Sequence, residues 1–202
     1  MAGTAKNYAP AKIQQGPGDL WLIGGGAPAD SATPQLTLAA DGTPDAGAHP
    51  ASIHLGLAAS GITSGVKPKV TPITADNVDA AVAAYVAELA MTLEVELLQY
   101  DMALMQYACP GSGTYATAGG YKQITFGGST TVLPLSCFAL ISPKRADPTK
   151  FIVSMLFQAY SPGPLQEVIS RGKHTTWKLT LDAITDLTRT AGRQLGVLYE
   201  TL

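Results

Sequence analysis

Two residue periods meet in the stretch MTLEVELLQYDMALMQYA, residues 91–108. Leu93, Val95 and Leu97 alternate with Thr92, Glu94 and Glu96, the period of a strand with one dry and one wet face. Leu98, Met102, Met105 and Cys109 then recur at helical spacing, and Pro110-Gly111 closes the run. The pattern predicts an acidic strand feeding a short helix that needs a sheet to lie on.

The same reading extends along the chain. Residues 1–18 are small, polar and Pro-containing, and read as an N-terminal arm. DLWLI, residues 19–23, is a strand ended by three glycines, and Leu36 and Leu38 mark another, stopped at Asp41-Gly42. Residues 41–69 are rich in Gly, Ala, Ser and Pro and read as a long loop, its main apolar side chains being Ile53, Leu55, Leu57 and Ile62. Its Ala-rich composition favours packing on a neighbour over solvation. Residues 70–73 form a strand fragment. Residues 75–89 have helical propensity and the stripe Val78, Val82, Tyr85, Val86, Leu89, with Thr74 or Asp76 as cap, although an extended second half is open.

Beyond the central helix, residues 121–126 and 130–142 suggest a hairpin around Gly127-Gly128. The second of these runs and FIVSMLFQAY, residues 151–160, are apolar on both faces, as strands covered from two sides are. Pro134 puts the first at an edge or a bulge. Residues 161–172 read as a turn with one short helical turn. Trp177, Leu179 and Leu181 alternate with Lys178, Thr180 and Asp182, and residues 192–202 supply a last strand. The sum is a mainly β chain, a β-sandwich or barrel of seven or eight strands flanked by one α-helix, with residues 19–202 as a single domain.

Composition narrows the function. The 202 residues carry a net charge of -2, and only 14% are charged, so there is no clustered basic surface to grip a nucleic-acid backbone. An apolar content of 46% suggests a surface partly covered by other copies of the chain, although a hydrophobic monomer has the same composition. Cys109 and Cys137 have no metal or redox spacing and read as buried thiols. The N-terminus lacks the apolar run of a signal peptide, and no stretch is long and apolar enough to span a bilayer, so synthesis in a cytoplasm in soluble form is expected.

Catalytic patterns are weak. Residues 24–29, GGGAPA, satisfy a loose dinucleotide pattern, but the adjoining run ADSATPQLTL is not an amphipathic helix, so a glycine turn is the better reading. His49 and His54 lie close together in a segment broken by Pro50, which does not make a helical metal pair. No elbow marks a nucleophilic serine. Glu94 and Glu96 share one face of their strand, where a solvated acidic face is the plainer role than paired catalysis. The expectation is a protein with no catalytic residue, cofactor or metal.

At TTWKLTLDAITDLTRTAGRQLGVLYETL and at LEVELLQYDMALM, the chain resembles the tail tube (major tail) proteins of long-tailed bacteriophages. The order of parts is similar too: polar arm, early strand, long small-residue loop, acidic strand feeding a helix, then strands to the C-terminus. That resemblance implies a virion protein, assembled in the host cytoplasm, whose hexameric rings stack into the conduit for DNA ejection. It implies further tail proteins as partners (tape measure, terminator, baseplate or tip) and DNA passing without specific binding. Carried onto this sequence, residues 41–69 reach a neighbouring subunit through Ile53, Leu55, Leu57 and Ile62. Glu94, Glu96 and Asp182 are candidates for the lumen, where acidic side chains repel phosphates that lysines would trap. The alternatives are a β-sandwich binding module for virion decoration or adhesion, or the tube protein of a related contractile injection system.

Overall fold

A computed structural model describes residues 18–56, 58–74, 81–98, 115–125, 135–144, 147–163, 166–168 and 176–202. The chain is mainly β, and no helix occurs among these residues. Its strands are β1 (Asp19–Leu22), β2 (Ile53–His54), β3 (Ala58–Thr74), β4 (Ala81–Leu97), β5 (Ala116–Ala118), β6 (Tyr121–Gln123), β7 (Ser136–Pro143), β8 (Phe151–Tyr160), β9 (Gln166–Val168), β10 (Thr176–Ala183) and β11 (Gly196–Glu200). Nine of them form one antiparallel sheet along the path β2-β1-β7-β8-β10-β4-β3, with β11 added to β8 and β9 to β10; β5 and β6 pair separately.

The sheet forks at β8. β11 pairs along Ile152 to Leu156, while β10 holds only Ala159 and Tyr160 before it diverges towards β4. The branch β10-β4 therefore packs across β1, β2, β7 and β8. Leu93, Val95, Leu97, Trp177, Leu179 and Leu181 from the branch meet Leu20, Leu22, Leu55, Phe138, Leu140 and Leu156 in one core. The opposite faces of β7 and β8 form a second core, where Cys137, Ala139, Ile141, Val153, Met155 and Phe157 are covered by Ile23 and Leu36. Alternation sorts side chains to the two cores, and a register shift between Ser136 and Phe138 adds a residue on β8 that returns Ala159 to the first core. The double-sided apolar runs are thus central strands. β7 is flanked by both β1 and β8, so it is not an edge.

Short aspartate turns hold the connections. Asp41, Asp147 and Asp186 each accept the amide and hydroxyl of a threonine two residues on, at Thr43, Thr149 and Thr188. Gly42, at φ 84°, lies where a Cβ would come within 2.3 Å of the Phe151 ring.

Several sequence expectations are corrected by the fold. Residues 81–89 take the extended alternative that the sequence left open beside a helix, because β4 continues unbroken through them and pairs with β3. The expected loop of residues 41–69 is interrupted by β2 and gives way to β3 from Ala58 on, since Val66 and Val70 alternate with lysines at a strand period. Residues 35–38 make one isolated bridge, Leu38 to Pro44, in place of a strand. Among the described residues β6 pairs with β5 across Gly119-Gly120, not with β7. Within residues 161–172, β9 is a strand on β10. The predicted helix of residues 98–109, apart from Leu98 itself, the N-terminal arm up to residue 17, and Pro134 lie outside the described residues.

Candidate assembly surface

β10 accompanies β4 only from Leu97 to Thr92. From Met91 back to Ala81, β3 is the only strand that pairs with β4 among the described residues. At 3.3 Å per residue this ribbon extends about 33 Å beyond the body's last rung. Partners in an antiparallel ladder share a face, so the register defines the ribbon's two sides. One side carries Val66 with Met91, Pro68 with Leu89, Val70 with Val86, and Pro72 with Ala84. The other carries Lys67 with Ala90, Lys69 with Glu88, Thr71 with Tyr85, and Ile73 with Ala83. Lys69 Nζ lies 3.3 Å from Glu88 Oε2, a solvent-exposed pair that adds little stability.

From Val66 to Pro72 the first side has no polar residue, and it continues the core-facing side of β4 through Met91 and Leu93. Inside the body those positions are buried. Along the ribbon Val66, Val70, Val86 and Leu89 are 51 to 58% exposed. At its root, Val66, Leu89 and Met91 border an open groove of about 390 Å³ with Leu195, Val197 and Leu198. Gly196 makes this junction close: a Cβ there would fall 2.7 Å from Met91 Sδ and 2.3 Å from the Met155 carbonyl.

The predicted acidic residues do come together. Glu94 faces Thr180 and Thr63, Glu96 faces Lys178, and Asp182 faces Thr92, so all three carboxylates sit on the wet side of β4-β10, half-buried. The predicted contact residues divide between the core and partly covered positions. Leu55 is in this chain's own core, with Ile53 and Ile62 packed against it, and Leu57 lies outside the described side chains. An apolar residue flanked by small ones reads as surface along the sequence, whereas in the fold two flanking strands enclose it. The exposed set, Val66, Val70, Val86 and Leu89, is hidden when the two arms of one hairpin read as a loop and a helix. The alternation Val66-Lys67-Pro68-Lys69-Val70 is the signal that reveals it.

Other candidate chemistry resolves into structure. Gly25 and Gly26 have φ of 77° and 85°, and Gly24 donates its amide to Ser52 Oγ at 3.0 Å, as a tight turn packed on residues 50–52. His49 Nε2 accepts the Thr37 amide at 3.3 Å, while His54 contacts Asp19 at 3.2 Å and stacks at a tilt on Trp21. Among the described residues no group of three or more His, Cys, Asp and Glu could hold a metal ion. Burial pushes the Cys137 thiol up to about 12, far from a reactive thiolate.

An open cavity of about 680 Å³ lies between the glycine turn and residues 186–189. Arg189 is buried in its wall, where Nε donates to Asp186 Oδ2 at 3.0 Å and Nη2 donates to the Pro28 carbonyl. Its guanidinium lies 3.7 Å from the centroid of the Phe157 ring. Asp186 is held below the usual carboxylate range by the Thr188 hydroxyl and amide and by Arg189. This is a strap tying three segments across the second core. No helix among the described residues is long and apolar enough to cross a membrane.

Compared with known proteins, the chain matches no family model and no curated protein sequence.

Proposed function

We propose that this chain is a structural, self-assembling protein of the tail-tube kind, whose copies form stacked rings around a conduit for DNA. The observation that carries the reading is the β3-β4 ribbon. A two-stranded ribbon in water is marginal alone, and one with an uninterrupted apolar face has reason to exist only where something covers it. Covering the exposed halves of Val66, Val70, Val86 and Leu89 contributes roughly 3 to 6 kcal/mol per contact. That suits an assembly of many repeated weak contacts better than an isolated pair.

The wet face of β4-β10 supports the same reading from the other side. Glu94, Glu96 and Asp182 present acid where a channel wall has to let phosphates slide, with Lys178 as the basic side chain paired among them. In this reading the fork at β8 gives the sandwiched body and the ribbon gives the arm to a neighbouring copy. The acidic face lines the passage, and other tail proteins cap the ends.

Negative-stain microscopy and sedimentation of the purified chain test the proposal. Rings or tubes are expected, and Val70→Glu with Val86→Glu should reduce them to folded single chains. A compact monomer at high concentration would instead favour a β-sandwich binding module.

A further inference from the structure

The ribbon has a free edge as well as a free face. Among the described residues β3 pairs with β4 on one side only, and a 17-residue strand with an open edge is a template for another strand. Within a few residues this edge gathers Pro68 and Pro72 together with Lys67 and Lys69. Each of these features disfavours strand addition.

The prolines set the direction. A proline has no N–H to donate. Pro68 and Pro72 are four residues apart, so their main-chain groups turn to the same side of β3. Turned towards β4, they would remove two rungs from a ladder that stays paired from Val66 to Ile73. Turned outward, they cost that ladder nothing and leave the outer edge without donors at both positions. An identical β3 laid antiparallel about this segment would also bring Lys67 and Lys69 of the two copies together, a like-charge clash.

We infer that Pro68 and Pro72 seal the outer edge of β3 against strand addition by a second copy of this chain, so that copies meet through the apolar face of the ribbon. The role of that face rests on the self-assembly reading above; the sealed edge is tested independently of it. The same charge-free surface that favours association would, on an open edge, propagate into unbounded sheets. Two imino acids separate the two outcomes.

The experiment compares the full-length chain with Pro68→Thr/Pro72→Thr and with Val70→Glu/Val86→Glu, by sedimentation velocity and thioflavin T binding. Threonine restores the N–H and makes the face slightly less apolar, so any gain in association comes from the edge. The proline variant should form thioflavin-positive species at a concentration about tenfold or more below wild type, the factor that two added main-chain hydrogen bonds per contact give. The glutamate variant should lose association and stay thioflavin-negative. A proline variant indistinguishable from wild type overturns the inference while the self-assembly reading stands. If wild type is monomeric throughout, that reading falls, yet new association of the proline variant still upholds the sealed edge and its absence overturns it. Should the double variant misfold, Pro72→Thr alone, farther from the body, is measured in the same way.

Discussion

β7-β8 and the β3-β4 ribbon are both antiparallel pairs rich in apolar side chains, and they end in opposite situations. Val153, Met155 and Leu156 are completely enclosed, with β10-β4 over one face of their pair and residues 23–38 over the other. Val66, Val70 and Val86 belong to the same kind of pair and are more than half exposed. The chemistry of the residues is alike; the difference is what the rest of the chain places over them. β7-β8 sits at the middle of the strand order, whereas the ribbon has run past the end of β10 and, among the described residues, has no further strand to cover it. One pair is finished within the chain, and the other, in the proposed assembly, is left for a neighbour.

The contrast breaks most sharply by putting the same charge in both places. Val153→Asp should cost more than about 4 kcal/mol, because a carboxylate there has neither water nor a partner, and the chain should fail to fold by circular dichroism. Val70→Asp should change the melting temperature little and act on association alone. Equal destabilisation by the two would mean that the ribbon's apolar face is already covered within one chain.

A smaller effect is expected at the strap over the second core. Arg189→Met keeps much of the volume but leaves the Asp186 carboxylate buried without its guanidinium, at a cost of about 3 kcal/mol in a denaturant titration. Assembly at concentrations where the variant remains folded should be unchanged, since the Arg189 guanidinium meets Asp186, Pro28 and Phe157 and not the ribbon's exposed face. Loss of assembly without loss of stability would place the strap in the interface.

The mildest perturbation is acid. The Asp186 pKa is lowered on folding by Thr188 and Arg189, as are those of Asp30 by Thr190, Asp41 by Thr43 and Asp147 by Thr149. A carboxylate with a depressed folded pKa contributes stability that is complete above the unfolded value of about 3.9, and loses it as pH falls through the folded value. The melting temperature should therefore hold at neutral pH and drop below about pH 4, less steeply in Asp186→Asn. A drop that begins near pH 6 would point to histidines instead.

The strands with a clean signal are legible in the sequence. β1, β8 and β10 fall where alternation or a bounded apolar run places them, and the wet face of Glu94, Glu96 and Asp182 comes from alternation once β4 and β10 are paired. Residues 81–89 are not legible, because alanine favours a helix locally and the stripe Val82, Tyr85, Val86, Leu89 fits that period. A 17-residue partner strand outweighs that preference of a few tenths of a kcal/mol per residue. Leu55 misleads for a related reason: small neighbours say nothing about what lies above them.

By itself the sequence determined the local periods, the turn residues, the scatter of the basic residues and the doubly apolar character of β7 and β8, since each depends only on neighbours along the chain. Tertiary structure alone decided that the sheet forks at β8, that Leu55 is interior, and that the face of Val66, Val70, Val86 and Leu89 stays open. Burial is a relation between strands distant in sequence, and an apolar side chain carries the same local pattern whether it has been covered or not.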